Sequence, residues 1–422
     1  MTLRLLPLLA LSSLLVHFCA LVGCAPPIVE PDRSSPLTFR VQFPQSPGGE
    51  TEETALPFSS GEMSIPITIE ALGYDREVLT DFNSIITIKA TPAQLLSAPA
   101  VTVTNGVANA TVTITRGFGQ VRIWATDEGT EETPGSYATG VSPLVHFGFP
   151  TIAEVQTSDS TIESPMEHTY VHMRGWVEDR EDPRDMRVTA VTNDGFYVTD
   201  LNDPFGSYNS MFAFTFSRPE GVEPGMRLAR LSGIVEEFLG FTELGFPDWE
   251  IVDQRDTPEP AEIPSEIACD SPEMEKWEST VVTFGNLESS FRGGSECADY
   301  VEFGQWPAML LDRNGNPVQC GGNDVRISVV NVNTVPSFAF PECESGSPPA
   351  VRSLPSLTGV LRHNRYASPP WILEVRDCLD FPESDRPADC VQQLSNPLSG
   401  PRVAPQWAFR DIPECEGHLT HR

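Results

Sequence analysis

Two histidines, His168 and His172, stand four residues apart with Glu167 beside the first, the spacing at which a helix presents two ligands to a catalytic zinc ion. That chemistry needs a glutamate directly after the first histidine. Thr169 stands there instead, and Tyr170-Val171-His172-Met173-Arg174 alternates like a strand, so the pair reads as structural. Asp312, Asn314 and Asn316 offer oxygen side chains at alternate positions, as a calcium loop begins, but Pro317 replaces the required glycine and no glutamate completes the set. A hairpin turn is the expectation there. Asp179, Glu181, Asp182 and Asp185 crowd one stretch with Arg180, Arg184 and Arg187 interleaved, which predicts a self-compensated solvated loop rather than a cation site. No G-x-S-x-G, S-x-x-K or Walker loop occurs. The sequence therefore predicts no catalytic residue, no metal ligand and no cofactor. Of the aromatic residues between Phe196 and Phe216, half must fill a core. Tyr197, Tyr208 and Phe212 are the candidate ligand-binding face, able to stack on sugar rings or bases.

The elements that must position these residues are short strands. Pro at 39 and Gly at 31 are abundant in the 422 residues, and sustained helical periodicity is almost absent, so turns are frequent and an all-β class follows. A length of this order predicts about three domains. Lys plus Arg is 27 against 59 for Asp plus Glu, a net charge of −32. Such a surface repels phosphate backbones and disfavours nucleic acid as a partner.

Alternation begins at Leu37, Phe39, Val41 and Phe43 and continues through Ile65, Ile67 and Ile69 to Val121-Arg122-Ile123-Trp124. Asn105-Gly106 sits between two such runs and predicts a hairpin. These strands suggest a β-sandwich over residues 37–150. After Gly148-Phe149-Pro150, strands with glycine kinks at Gly175 and Gly233 suit a small five-stranded barrel over 151–260. Seven of the nine cysteines lie from Cys269 onward: Cys269, Cys297, Cys320, Cys343, Cys378, Cys390 and Cys415. No C-x-x-C occurs, so three disulfides and one spare thiol are expected rather than zinc, with the pairing open.

Thr102-Val103-Thr104-Asn105-Gly106-Val107-Ala108, with the later Arg122-Ile123-Trp124-Ala125-Thr126-Asp127, resembles bacterial immunoglobulin-like domains. Asp194-Gly195-Phe196-Tyr197-Val198-Thr199-Asp200 and Ser232-Gly233-Ile234-Val235-Glu236-Glu237-Phe238 resemble the OB-fold modules that accompany large extracellular bacterial endonucleases. Glu275-Lys276-Trp277-Glu278-Ser279 is similar to a segment that follows such modules, with Ser279 where glycine is usual. Leu357-Thr358-Gly359-Val360-Leu361 echoes Leu231-Ser232-Gly233-Ile234-Val235, and Trp371-Ile372-Leu373-Glu374-Val375 resembles the closing strand. The resemblance thus implies a second, diverged OB-like module over 261–385, stabilised by the cysteines, and leaves 386–422 as a C-terminal tail. The nuclease catalytic domain has no counterpart, so the resemblance implies accessory modules without that activity.

Met1 to Arg4 and the apolar run from Leu5 to Val22 read as an export signal, residues 1–23. Leu21-Val22-Gly23-Cys24 resembles the lipobox of bacterial lipoproteins, which implies cleavage between Gly23 and Cys24 and acyl chains, palmitate among them, on Cys24 as a stable membrane anchor. Residues 24–36 are a proline-rich tether. Ala25 after the cysteine resembles the outer-membrane sorting signal, so the expected address is the bacterial envelope, facing the periplasm or the surface. The expected role is non-catalytic binding of an envelope protein or polysaccharide through the OB-like modules. The alternative is a nucleic-acid-binding accessory of a surface nuclease.

Overall fold

The computed structural model describes residues 34–58, 61–129, 134–157, 163–178 and 183–390. Gly23, Cys24 and Cys415, the export signal, and Asp179 to Asp182 lie outside the described residues. No helix among the described residues is long and apolar enough to cross a membrane. The chain is all-β: an immunoglobulin-like sandwich followed by two OB-like barrels, the second cross-linked by disulfides.

The sandwich strands are β1 (Thr38–Gln42), β2 (Met63–Leu72), β3 (Ser84–Thr91), β4 (Gln94–Ser97), β5 (Ala100–Val103), β6 (Val107–Thr115), β7 (Gly119–Thr126), β8 (Thr139–Val141) and β9 (Val145–Phe147). One sheet runs β1-β2-β6-β4, and the other runs β5-β3-β7-β8 with β9 also on β7. Alternation sorts the faces: Ile65, Ile67 and Ile69 of β2 are buried, while Ser64, Pro66 and Thr68 face outward.

The Asn105-Gly106 turn forms with both residues at positive φ, and Thr104 and Val107 exchange backbone hydrogen bonds of 3.0 and 3.1 Å. The expected hairpin goes no further, because β5 pairs with β3 and β6 pairs with β2. Val101 and Val103 on one side, and Ala108, Val112 and Ile114 on the other, all bury into the same core. Two strands that point into one core from opposite layers cannot share a sheet, so the turn crosses between sheets.

Next come α1 (Ile152–Gln156), capped by Thr151 and Glu154 in a capping box, then β10 (Tyr170–Arg174), β11 (Met186–Val191), β12 (Gly195–Asp200), β13 (Ser210–Phe214), β14 (Met226–Phe238) and β15 (Phe241–Gln254). The pairings β11-β12-β13-β15-β14 close back on β11, with β13 and β15 parallel. This is the Greek-key closure of an OB-fold. β10 and β11 lie one after the other along β14, as two halves of the first barrel strand. Gly175 ends the first half, where a Cβ would lie 2.1 Å from the Leu228 carbonyl oxygen. Arg174 places its guanidinium 3.7 Å from the centre of the Phe149 ring, linking this barrel to the segment that leaves the sandwich.

The second barrel comprises β16 (Ala261–Ile263), α2 (Ser271–Glu275), β17 (Val281–Ser289), α3 (Gly294–Phe303), β18 (Gln305–Leu310), the short pair β19 (Gln319–Cys320) and β20 (Asn323–Asp324), then β21 (Arg326–Val330), β22 (Ser353–His363) and β23 (Trp371–Glu374). Its closure repeats the first, β17-β18-β21-β23-β22 returning to β17, with β21 and β23 parallel. Gly233 and Gly359, which echo each other in sequence, both lie on the fourth barrel strand. Disulfides join Cys269 to Cys320, Cys297 to Cys343 and Cys378 to Cys390. Each fastens a segment outside the five barrel strands, where backbone ladders are short.

Candidate functional site

The expected ligand-binding face is closed. Tyr197 of β12 and Phe212 of β13 are almost wholly buried, their ring centres 4.6 Å apart. With Ala190 and Phe241 they form one apolar cluster with Val281 of β17 and Val360 of β22. The second barrel therefore covers the face through which an OB-fold commonly takes its ligand, the one built by barrel strands two and three. Polar bonds frame the seam. The Tyr197 hydroxyl donates to Glu374 Oε2 at 3.0 Å, and the Thr280 hydroxyl donates to Ser210 Oγ at 3.1 Å. Tyr208 is half-buried at the same junction, with its N–H bonded to the Lys276 carbonyl.

A cleft of about 640 Å³ remains open beside this seam. It lies on the outer wall of the second barrel, between the end of α3, the outer faces of β21, β22 and β23, and the tip of the β14–β15 hairpin. Phe238 and Phe241 come from that tip, Tyr300 and Val301 from α3, and Gln305, Asn333 and Asn364 supply amides. Phe238 is 41% exposed. Arg362 and Glu374 form its ionic floor, 3.3 Å apart. The guanidinium lies 4.7 Å from the Phe241 ring centre and 5.4 Å from that of Phe212. Burial opposes its charge, but Tyr197, Glu374, Asp194 and Glu243 outweigh burial and hold its pKa above the usual arginine value.

Behind the cleft lies an acidic cluster. Glu275 ends α2, Glu278 follows one turn later, and His363 ends β22. All three are buried, and one potential ligand atom from each lies within 4.8 Å of the others. His363 Nδ1 is 2.9 Å from the Gly240 carbonyl oxygen, and its ring stacks on Trp371 at 4.5 Å. Glu278 Oε1 accepts from the Thr242 N–H at 3.1 Å. The Oε2 atoms of Glu237, Glu275 and Glu278 are buried with no hydrogen-bond partner. Burial, and then the charge of its neighbour, raises each pKa: Glu237 acts on Glu275, and Glu275 on Glu278. Burial lowers that of His363.

The sequence reading missed this cluster. The available signal was Glu275-x-x-Glu278 between Met274 and the Val281-Val282 strand start, with Trp277 between them, since two carboxylates one turn apart that are carried into a core need partners. His363 is remote in sequence, and only closure of the barrel brings it there. Of the sequence candidates, His172 Nδ1 lies 3.0 Å from Ser232 Oγ on β14, and exposed His168 stands outside β10. The Asp312 carboxylate accepts from the backbone N–H groups of Asn314 and Asn316, which closes a turn. Asp185 pairs with Arg187 at 2.7 Å, and Arg184 pairs with Asp200 and Asp203.

Glu243 of β15 makes the seam pH-sensitive. Burial, opposed by Arg362 and helped by Glu236 and Asp194, raises its pKa from 4.5 to about 7. A carboxyl that keeps its proton only in the folded chain stabilises fully below pH 4.5 and loses that contribution as pH rises through about 7. The contribution is on the order of 3 kcal/mol. Urea midpoints are expected to fall between pH 5 and 8, and Glu243→Gln to flatten that fall. Equal slopes in the two proteins would refute it. No protein-family model matches this chain, and no curated protein matches it either.

Proposed function

We propose that this protein is a lipid-anchored envelope protein, tethered through Cys24, that binds an envelope polysaccharide in the cleft on the outer wall of its second OB-like barrel. The carrying observation is the lining of that cleft, where an exposed aromatic ring, three side-chain amides and a fixed Arg362–Glu374 pair converge in about 640 Å³. Aromatic faces stack on sugar rings, while amides and planar ions bond hydroxyls. The net charge of −32 weighs against an anionic nucleic-acid strand.

The full chain, titrated with fragments of envelope glycan, is expected to bind, and Phe238→Ala to weaken binding about two- to tenfold. Glycan binding that ignores this substitution would place the site elsewhere. DNA binding with a steep salt dependence would favour the nuclease-accessory role instead, and capture of an envelope protein alone would favour a protein partner. Incorporation of labelled palmitate, lost in Cys24→Ser, tests the anchor.

A further inference from the structure

We propose that Glu275, Glu278 and His363 bind a divalent first-row transition ion of the zinc class at the seam between the two barrels. Three observations converge on it. The potential ligand atoms already lie within 4.8 Å of one another, and a tetrahedral ion with bonds of about 2.1 Å would draw them to about 3.4 Å through small side-chain shifts. Glu278 is 2% exposed and Glu275 8% exposed, yet Oε2 of each has no hydrogen-bond partner. A buried carboxylate oxygen without a donor is costly, and a cation in the cluster removes that cost for both at once. The two guanidinium groups that act on these carboxylates are engaged elsewhere, Arg362 with Glu374 and Arg365 with Glu163.

The donor chemistry selects the ion. Calcium and magnesium favour all-oxygen shells, whereas one imidazole with two carboxylates suits zinc, manganese or ferrous iron. His363 Nδ1 lies 2.9 Å from the Gly240 carbonyl oxygen and 3.6 Å from Glu275 Oε2, so an ion bound through that nitrogen would take the place of its contact with the carbonyl. Glu237 adds negative charge near both glutamates, which further favours a cation between them. His363 also lines the open cleft, which gives an ion access. Thr242 and Gly240 come from the first barrel, and Glu278 and His363 from the second, so an ion here would lock the relative placement of the barrels. The competing account is that protons, not a metal, neutralise the glutamates.

The test is calorimetric and thermal titration of the chelator-treated full chain with zinc chloride, with manganese and calcium as comparators. Expected are one zinc ion per chain, affinity that rises with pH as protons are displaced, and a higher Tm. Glu275→Gln and Glu278→Gln keep shape and are expected to lose affinity at least tenfold together with the zinc-dependent rise in Tm. No binding up to roughly 100 µM zinc, or equal binding by either variant, overturns the proposal in favour of protonated carboxyls. Should a variant fail to fold, anomalous diffraction from zinc-soaked crystals of the unmodified chain decides. Density between Glu275, Glu278 and His363 supports the site, and its absence overturns it.

Discussion

Phe212→Ala is expected to cost about 3–5 kcal/mol of stability and to loosen the two barrels from each other. The ring is 1% exposed and packs on Tyr197, with Phe241 at 5.7 Å between ring centres, while Arg362 lies over it. Its truncation would open a cavity lined by both barrels. The seam would collapse only partly, because β12, β13, β17 and β22 are each held in closed ladders. Urea unfolding and limited proteolysis of the linking segment around residues 255–260 would show the change, the former as a lower midpoint and the latter as faster cleavage. Phe216→Ala is the control: that ring is 63% exposed, so a change within about 0.5 kcal/mol is expected. A comparably small loss for Phe212→Ala would mean that the apolar seam contributes little to stability.

Arg362→Ala is expected to be as damaging, about 3–5 kcal/mol, for an electrostatic reason. Glu374 would lose its guanidinium partner while still accepting from the Tyr197 hydroxyl, and Glu243 would lose the nearby positive charge that opposes its protonation. Glu243 should then take up a proton at higher pH, so the fall of stability with pH would extend further into the alkaline range. Arg362→Met separates packing from charge. It keeps apolar cover over Phe241 and is expected to recover some of the loss at pH 5, where Glu243 is neutral, and little at pH 8. Equal destabilisation of the methionine variant at both pH values would show that packing, not charge, carries the effect.

The aromatic residues show how far the sequence reaches. Tyr197 and Phe212 were expected on a ligand-binding face of a small barrel, and alternation along β12 and β13 can sort residues to two faces. Alternation does not say whether the outer face meets water, a ligand or another barrel, and here the second barrel covers it. The Asn105-Gly106 turn teaches the same lesson, since two residues fix the turn but the destination of each strand depends on remote partners.

What the sequence by itself determined is the all-β class, the division into a sandwich and barrels, the concentration of disulfides in the later part, and the echo of Gly233 in Gly359. These follow from side-chain period, turn residues and cysteine placement, and for the second barrel from the resemblance to OB-fold modules and the internal echo. Only the tertiary structure decided which cysteines pair, that Tyr197 and Phe212 are sealed in a seam, that the open cleft belongs to the second barrel, and that Glu275, Glu278 and His363 meet. Those outcomes depend on barrel closure and on the docking of one barrel against another. Both bring together residues far apart in the chain, and no local pattern encodes their distance.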